Sequence, residues 1–383
     1  MSLPHGAHPS DNAAALSVAM VVEQCWRPAP GGSGRYIVEL ATELARSEDV
    51  TLRGVAARHP TPPPLGLRPP LPIDHSRLPS HLLVRAWDRL GRPRVEDIVS
   101  GPTDVVHATT WALPATERPL VVTIHDLAFL RFPEHFTPRG RSYFTRAVAR
   151  AKERADVILV PSEATAADCY ENGFDPDRVR VVPLGLTTIP TTAHDVAAFR
   201  ARHGLPDRFV LWCGTLEPRK NLDGLLAAFA QVADGDGDLD LVLVGPPGWG
   251  AEAAPVAERL RPRVHTLGFL DDADLHLAYA AAAAFVFPSH WEGFGLPVLE
   301  AMGHGIPVVT SANSSMAEVA GSAGVLVDPS DPAAIADGIR TAVGADRSRL
   351  AAQSLDRARD FTWRRTAEAT RAAYEEALAS PGR

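Results

Sequence analysis

Two glutamates eight residues apart carry the densest candidate chemistry in the chain. Glu292 and Glu300 lie in the segment PSHWEGFGLPVLEAM, which directly follows the apolar run AFVF. Gly293 and Gly295 would let a ligand approach the backbone, and Pro297 suits the first turn of a helix, whose free N–H groups favour an anion or hydroxyl groups. The pattern predicts a ligand-binding turn at the C-terminal end of a buried strand. Both carboxylates would accept hydrogen bonds from hydroxyl groups of the ligand. A strand–turn–helix with two solvated glutamates is the simpler alternative.

Two adjacent cations follow a second apolar run. Arg219 and Lys220 lie in the segment GTLEPRKN, immediately after FVLWC. Cations at the mouth of a parallel sheet suit a diphosphate, although an Arg-Lys pair is more often solvated surface. Lysine is rare in this chain, because only Lys152 and Lys220 among the 38 basic residues are lysines. That rarity favours a role for Lys220 in binding a diphosphate.

A glycine-rich segment lies between the first predicted strand and the first predicted helix, which is expected at residues 35–46. The sequence PGGSGRY, with Gly31 and Gly32, resembles a phosphate-facing turn, but Ile37 stands where the third glycine of GxGxxG would be. An ordinary tight turn is equally compatible with this segment. No acidic residue follows at the spacing needed to bind a ribose hydroxyl of a nicotinamide dinucleotide, so a dehydrogenase is disfavoured.

A histidine and an aspartate follow a further apolar run, VVTI. His125, at the C-terminal end of a predicted strand, is placed to face a cleft. Asp126 is placed either to orient this imidazole or to act on an acceptor hydroxyl. His107 ends the previous predicted strand and is expected to be a structural residue.

Short apolar runs alternate with helix-length segments along almost the whole chain. Runs such as VILV, LVLV and FVF lack polar alternation, which is typical of parallel strands covered on both faces. Twelve strands are predicted, at residues 16–22, 50–56, 104–107, 120–124, 156–160, 179–182, 209–213, 240–244, 263–267, 284–287, 306–310 and 324–327. We therefore predict an α/β fold with two Rossmann-like, doubly wound parallel-sheet domains that face a cleft.

The predicted domain organisation follows from the spacing of these runs. The first domain is expected at residues 1–190 and the second at residues 205–360. A last helix, at about residues 364–383, is expected to pack back on the first domain. The segment 60–79 contains eight prolines and is predicted to be a surface excursion of the first domain.

Composition excludes several classes of protein. The chain has 383 residues, 45% hydrophobic and 22% charged, with a net charge of −8, which fits two folded domains and argues against a general nucleic-acid binder. Three cysteines without CxxC spacing fit a reduced compartment without a disulfide or zinc site. The acidic run DGDGDLD lacks the glycine and the glutamate of an EF-hand, so no metal site is predicted. The longest apolar stretch is shorter than a membrane span, and a cytoplasmic protein is expected.

Together these motifs resemble the retaining glycosyltransferases of family 4, which have the GT-B fold. EGFGLPVLEAM contains an E-x7-E signature from Glu292 to Glu300, and GTLEPRKN, IHDLAF and GGSGRY accompany it in the order of the family. The stretches IHDLAFLRFPEHFTP and GTLEPRKNL are most similar to the bacterial mannosyltransferase B-like branch. The resemblance implies that the first domain binds an acceptor and the second binds a nucleotide-sugar donor.

The resemblance also implies how the donor diphosphate is held. Arg219 and Lys220 would bind it, and Gly31 and Gly32 would lie beside the phosphates and the acceptor. Thr215 departs from the family, because many relatives have arginine at this position. More of the diphosphate charge is therefore left to the two cations.

Further roles concern the sugar and the ribose. The resemblance implies that Glu300 binds the ribose hydroxyls, that Glu292 binds hydroxyls of the transferred sugar, and that His125 contacts the sugar near the reacting carbon. The remaining expected donor-binding residues form the turn between the two glutamates, and they are Gly293, Phe294, Gly295 and Leu296.

The expected reaction is the transfer of a hexose to a hydroxyl group with retention. Breaking a glycosyl–phosphate bond builds negative charge on the leaving diphosphate, which fixed cations and helix N-termini stabilise without a metal ion. The resemblance implies a front-face attack in which the departing phosphate takes the acceptor's proton, and GDP-mannose is the first guess for the donor. A UDP- or dTDP-sugar donor, a GT-B-type sugar-nucleotide epimerase and a module that only binds a nucleotide sugar are the alternatives.

The expected partners are a nucleotide-sugar donor and an acceptor glycan, glycolipid or small glycoside, with no cofactor. A predicted helix at residues 139–154 has one acidic residue, Glu153, and six basic ones, Arg139, Arg141, Arg146, Arg150, Lys152 and Arg154. Its basic face is expected to be solvated. Peripheral contact with the inner face of a membrane, near lipid-linked acceptors, is the alternative.

Overall fold

Two parallel β-sheets organise the molecule. The fold is taken from a computed structural model, and the structure describes residues 15–27, 31–248 and 258–380. The first sheet contains β1 (Leu16–Val21), β2 (Val50–Arg58), β3 (Ile73–Pro79), β4 (Val105–Ala108), β5 (Leu120–Thr123), β6 (Val157–Val160) and β7 (Val179–Val181). Its order is β3-β2-β1-β4-β5-β6-β7, and all neighbours are parallel. The chain therefore winds outward in both directions from the β1–β4 pair.

The second sheet repeats this plan. It contains β8 (Phe209–Cys213), β9 (Asp240–Val244), β10 (Val264–Gly268), β11 (Ala284–Phe287), β12 (Val308–Ser311) and β13 (Val325–Val327). Its order is β10-β9-β8-β11-β12-β13, and its pairs are also parallel. Here the winding reverses at the β8–β11 pair. In doubly wound sheets, ligands bind outside the carboxyl ends of the strands at such reversals.

Helices connect the strands and cover the sheets. They are α1 (Gly31–Leu44), α2 (Ser80–Leu90), α3 (Ala128–Arg131), α4 (Pro138–Arg154), α5 (Glu163–Glu171), α6 (Ala193–His203), α7 (Leu222–Ala233), α8 (Asp272–Ala281), α9 (Leu296–Gly303), α10 (Ser315–Ala320), α11 (Pro332–Val343), α12 (Arg347–Ala358) and α13 (Trp363–Ala379). Strands such as VILV, FVLWC and AFVF are buried along their whole length. Burial on both faces explains why these strands show no polar alternation.

The proline-rich segment departs from its prediction. Residues 60–79 were expected to be a surface excursion without a strand, but the last seven form β3, which pairs with β2 from Gly54–Ile73 to Arg58–Pro79. Proline lacks a backbone N–H and is tolerated where a strand has only one neighbour. Because β3 lies at the edge of the sheet, its prolines are tolerated, and the proline-rich composition led us to miss this seventh strand.

The segment between the two sheets also contains a helix. We expected the first domain to end at residue 190 and the second to begin at residue 205, and α6 occupies residues 193–203 between them. This helix packs on α8 of the second sheet, where the Arg200 guanidinium donates to the carbonyl of Ala281 at 2.6 Å and Arg202 pairs with Asp274 at 2.5 Å.

The last helix, α13, returns to the first sheet. Its Tyr374 hydroxyl lies 2.8 Å from Nδ1 of His107, and the Thr366 hydroxyl donates to the carbonyl of Pro183 at 2.7 Å. His107 is fully buried, and its Nε2 lies 2.8 Å from the Thr123 hydroxyl. The imidazole therefore joins β4, β5 and α13, which is the structural role expected for it.

The buried imidazole of His107 makes stability depend on pH. Burial lowers the pKa of His107 to about 3, whereas an imidazole in the unfolded chain titrates near 6.5. Because the unfolded chain takes up this proton first, the free energy of unfolding should fall between pH 6.5 and pH 4, by about 1.4 kcal/mol per pH unit for one such group. Urea unfolding at pH 7, 6 and 5 measures this slope.

His107→Gln should reduce that slope, because an amide keeps hydrogen-bonding capacity but gains no proton. The exposed His194 on α6 provides the matched control, and His194→Gln should leave the slope as in the parent protein. Equal slopes for the parent and His107→Gln would contradict the assignment.

Candidate active site

The loops that follow the central strands of both sheets meet in one cleft. Gly293, in the turn after β11, lies directly against the first domain: a Cβ built on it would lie 1.7 Å from the carbonyl oxygen of His125. The carbonyl of Gly293 accepts hydrogen bonds from the hydroxyls of Ser162 at 2.7 Å and Thr165 at 3.1 Å. The EGFG turn of the second domain is therefore held by side chains of the first.

The two predicted cations converge on Glu292. Lys220 Nζ lies 2.6 Å and an Arg219 guanidinium nitrogen 2.9 Å from Oε1 of Glu292, and the Ser289 hydroxyl donates to the same oxygen at 2.8 Å. Burial alone would raise the pKa of Glu292, but the charges of Arg219 and Lys220 lower it to about 2. Glu292 is thus ionised at neutral pH and is not a proton donor.

Arg219 has more partners within the protein than Lys220 has. It also pairs with Glu217 at 2.6 Å and donates to the carbonyl of Trp291 at 2.5 Å, and its neighbouring carboxylates raise its pKa against the effect of burial. Lys220, by contrast, has Glu292 as its one ion-pair partner among the described residues, and it lies 4.9 Å from the ring centre of Phe287. Lys220 is therefore the cation with more donor capacity left for a ligand.

Asn221 fixes the cation loop to the glutamate loop, and we did not identify it from the sequence. It has a left-handed backbone with φ of 56°, and its side-chain amide donates to the carbonyls of Pro288 at 3.0 Å and Pro329 at 2.6 Å. Asparagine tolerates this conformation better than most residues. An Asn directly after an Arg-Lys pair was the available signal.

Glu300 has different surroundings from Glu292. It is buried in α9, where its Oε2 accepts a hydrogen bond from the Tyr279 hydroxyl at 3.0 Å. Its nearest cation is Arg35 of α1, with Nε 3.7 Å from Oε1. Burial raises the pKa of Glu300, and the charge of Arg35 opposes that rise. The two glutamates are therefore not equivalent: one neutralises the cation pair, and the other faces the first domain.

The glycine-rich segment is helical rather than a turn. The first helix begins at Gly31, four residues before its predicted start, so Gly31 and Gly32 lie in its first turn. Gly31 has φ of +58°, and a Cβ on Gly32 would lie 3.0 Å from Leu296 Cδ1 of α9. Glycine thus lets the N-terminus of α1 approach the N-terminus of α9, so that two positive helix ends meet at the cleft.

His125 and Asp126 do not form a catalytic pair in this structure. Nε2 of His125 lies 3.0 Å from the carbonyl oxygen of Thr109, and burial lowers the pKa of this imidazole. Oδ1 of Asp126 accepts from the backbone N–H of Ala128 at 3.0 Å. Within the described residues no hydrogen bond joins the two side chains, because each bonds to a different segment. His125 is therefore a neutral imidazole that faces Gly293 through its backbone.

The rest of the EGFG turn supplies backbone rather than side chains. Phe294 is buried and packs edge-on against Phe361 at 5.8 Å between ring centres. Gly295 has φ of +98° and caps α9, whose Leu296 is also buried. Only the peptide groups of these three residues remain to bind a ligand.

Most of the charge on α4 is used within the first domain. Four of its six basic residues contact groups of that domain, and they are Arg146, Arg150, Lys152 and Arg154. For the side chains of Arg139 and Arg141 the described part of the chain shows no ion pair or hydrogen bond. This arrangement favours the solvated face that we expected over a continuous basic surface.

Residues 15–27, 31–248 and 258–380 contain neither a cluster of metal ligands nor a membrane-spanning helix. Their histidine, cysteine, aspartate and glutamate side chains form no group of three or more that could hold a metal ion. No helix among these residues combines the length and the apolar character needed to cross a bilayer.

Comparisons with known proteins identify the family. A model described as Glycosyltransferase Family 4 matches residues 30–188, and one described as Glycosyl transferases group 1 matches residues 207–344. The O-antigen chain mannosyltransferase B of Escherichia coli is 30% identical over 364 residues, which cover 90% of this chain and 96% of that protein. The chain belongs to glycosyltransferase family 4. This family 4 enzyme is a retaining glycosyltransferase that transfers a sugar from a nucleotide sugar.

Other relatives agree with this assignment. A D-inositol 3-phosphate glycosyltransferase of Acidothermus cellulolyticus is 32% identical and covers 91% of this glycosyltransferase and 86% of its own length. Among solved structures, Anabaena HepE in complex with UDP and glucose superposes with a TM-score of 0.70 at 20% identity, over 93% of this chain and 98% of that one. These matches confirm the predicted family, the GT-B fold and the enzyme class. The E-x7-E signature and the segment GTLEPRKN led to the correct family.

Proposed function

We propose that this glycosyltransferase binds the diphosphate of its donor at Arg219 and Lys220 and transfers a hexose to a hydroxyl group of an acceptor in the first domain. The observation that supports this most directly is the cluster of Arg219, Lys220 and Glu292 at the β8–β11 reversal. Fixed cations stabilise the negative charge that develops on a leaving diphosphate. The N-termini of α1 and α9 add positive potential to the same cleft.

The donor sugar is proposed to lie between the EGFG turn and His125. Glu292 is ionised, so it accepts hydrogen bonds from sugar hydroxyls and does not protonate the leaving group. A neutral His125 is not an imidazolium acid, and its Nε2 lies 3.0 Å from the carbonyl oxygen of Thr109, so it does not protonate the leaving group. The proposed reaction is a front-face displacement: the acceptor oxygen bonds to the anomeric carbon, the bond from that carbon to the phosphate oxygen breaks, and the acceptor's proton passes to the departing phosphate. No residue is needed as a covalent nucleophile, and no metal ion is invoked.

GDP-mannose is the proposed donor, with a UDP- or dTDP-sugar second. The support for mannose is the name of the Escherichia coli relative, whereas HepE, a structure of the same fold, contains UDP. The proposed acceptor is a glycan, a glycolipid or a small glycoside. We propose the same allocation of domains that the motifs predicted: acceptor in residues 1–190, donor in residues 205–360.

A thermal-shift panel with GDP, UDP, dTDP and ADP tests the donor assignment. One diphosphate should raise the melting temperature by roughly 5 °C when present at a hundred times its dissociation constant. An increase in melting temperature with UDP or dTDP alone would mean that the donor is a UDP- or dTDP-sugar and not GDP-mannose. Failure of all four to bind would contradict the diphosphate site. Sugar isomerisation in the absence of any acceptor would favour an epimerase.

Glu300→Gln tests the ribose assignment. Glu300 is proposed to accept hydrogen bonds from the ribose hydroxyls. Loss of its charge should therefore weaken binding of the nucleoside diphosphate that gives the thermal shift about tenfold. The melting temperature of the variant without ligand should change little. Calorimetric titration measures the affinity. The exposed Glu375 on α13 offers a control, and Glu375→Gln should bind as tightly as the parent enzyme.

Peripheral contact between α4 and a membrane is tested separately. The purified enzyme is sedimented with liposomes that contain anionic lipid. The paired arginines of α4 lead us to expect the enzyme in the supernatant, and pelleting would contradict that expectation.

A further inference from the structure

One cation of the first domain reaches the proposed ribose carboxylate of the second. Arg35 lies in the first turns of α1, and its side chain is only 17% exposed. One terminal nitrogen lies 2.6 Å from Oδ1 of Asp272, at the start of α8. Its Nε lies 3.7 Å from Oε1 of Glu300 in α9. Arg35 therefore bridges the cleft to two carboxylates of the other domain.

Without Arg35, Glu300 has no cationic neighbour in the described part of the chain. The groups that face it are the Tyr279 hydroxyl, which donates to Oε2, and Asp272, whose charge repels it. Behind Tyr279 lies the thiol of Cys213 at 3.0 Å. A buried carboxylate with only a phenol for support tends to take up a proton. The charge of Arg35 opposes that tendency.

Two imidazoles pack against Tyr279, the hydrogen-bond donor to Glu300. His304 follows α9, and its Nε2 lies 2.6 Å from Nδ1 of His276 in α8. Burial lowers the pKa of His276 to about 4 and also lowers that of His304. Both rings are therefore neutral at pH 7 and supply no positive charge to Glu300.

The geometry leaves one oxygen of Glu300 open. A separation of 3.7 Å between Nε and Oε1 exceeds hydrogen-bond distance, whereas Arg35 forms a close ion pair with Asp272 at 2.6 Å. No described residue donates a hydrogen bond to Oε1. Asp272 thus anchors the guanidinium group, which acts on Glu300 through its charge while Oε1 keeps its lone pairs for a ligand.

We propose that Arg35 is a positioning residue of the donor site, which the first domain contributes so that Glu300 stays ionised and open to the ribose hydroxyls. This inference rests on the proposed function of Glu300. It means that the nucleotide site is complete only when the two domains are together. Donor binding and domain closure then favour each other, because the ligand binds more tightly to the closed form.

Arg35→Ala tests the proposal through nucleotide binding rather than turnover. The probe is whichever of GDP, UDP, dTDP and ADP gives a thermal shift, and calorimetry measures its dissociation constant from pH 5 to pH 8. At pH 7 we expect about tenfold weaker binding. Affinity should also be lost at higher pH than in the parent enzyme as the solution is acidified, because Glu300 is then protonated more readily. Arg35→Lys restores a charge and should recover part of the affinity.

Glu318→Ala is the matched control for a contact between the domains. The carboxylate of Glu318 accepts hydrogen bonds from the backbone N–H groups of Glu163 at 2.9 Å and Ala164 at 2.7 Å, across the same domain interface. It makes no contact with Glu300. If Glu318→Ala weakens nucleotide binding as much as Arg35→Ala does, the loss reflects a weakened domain interface and the specific role of Arg35 is wrong.

The remaining outcomes separate the two proposals. Unchanged affinity and an unchanged pH profile in Arg35→Ala, with weaker binding in Glu300→Gln, would overturn the inference and leave the ribose assignment in place. Tighter binding in Arg35→Ala would also overturn it, because Arg35 would then compete with the nucleotide. Unchanged binding in Glu300→Gln would remove the ribose assignment itself. In Glu300→Gln the acid limb should be absent, which assigns that limb to Glu300 rather than to His276 or His304.

Discussion

Lys220→Ala should lower the rate of sugar transfer at least a hundredfold, and changing Arg219 as well should abolish turnover. One fixed donor to a developing anion typically contributes a factor of 10² to 10³. Two features concentrate that contribution in Lys220: Arg219 is already paired with Glu217 and Glu292, and Thr215 supplies no charge. Release of the nucleoside diphosphate from the donor measures the rate.

The Lys220→Ala variant should remain folded. Glu292 keeps its ion pair with Arg219 at 2.9 Å and its hydrogen bond from Ser289 at 2.8 Å, so no buried charge is left alone. The only other lysine of the chain is the matched control. Lys152 lies 5.3 Å from the ring centre of Phe174, on α4, and Lys152→Ala should transfer sugar at the parent rate. A Lys220→Ala enzyme within threefold of the parent would exclude this lysine from the diphosphate site.

Gly293→Ala should reduce transfer at least a hundredfold for a different reason. The added methyl group would lie 1.7 Å from the carbonyl oxygen of His125 and 2.9 Å from Cβ of Asp126, both in the first domain. The φ of Gly293 is not in the left-handed region, so its backbone conformation does not itself exclude alanine. The three closest contacts of the added methyl group are all with the first domain, so the substitution should push the domains apart. A displacement of 1 Å at reacting groups is enough to cost about 10² in rate.

The measurements for Gly293→Ala are the transfer rate, the melting temperature and the affinity for the nucleoside diphosphate. We expect the rate to fall far more than the affinity, because Arg219 and Lys220 are not displaced. Gly237→Ala is the control: its loop has open space around the added methyl group, and its activity should be unchanged. A fully active Gly293→Ala enzyme would mean that the contact with His125 is absent during catalysis.

The sequence allowed the cluster of Arg219, Lys220 and Glu292 to be placed at one edge of the second sheet. Glu292, Arg219 and Lys220 each follow an apolar run, and parallel strands bring their carboxyl ends to one edge of a sheet. Local pattern therefore sufficed to place them together. The same reasoning explains the correct family and the two parallel sheets, since both depend on short motifs in a fixed order.

Local sequence patterns were insufficient where a contact joins distant parts of the chain. The approach of Arg35 to Glu300 and of Ser162 to Gly293 depends on how the two domains are placed relative to each other. The spacing of residues within a motif does not predict that placement. Composition misled at β3, because prolines are compatible with an edge strand. Glycines misled at α1, because Gly31 and Gly32 begin the helix where we expected a turn.

The return of α13 to the first sheet has a consequence for synthesis on the ribosome. Domains usually fold in the order in which they emerge. Here the second domain can emerge whole while the first still lacks α13 (Trp363–Ala379), whose Tyr374 is the partner of His107 Nδ1. The second domain is therefore expected to reach its native fold first, and the first domain completes its packing only after α13 has emerged.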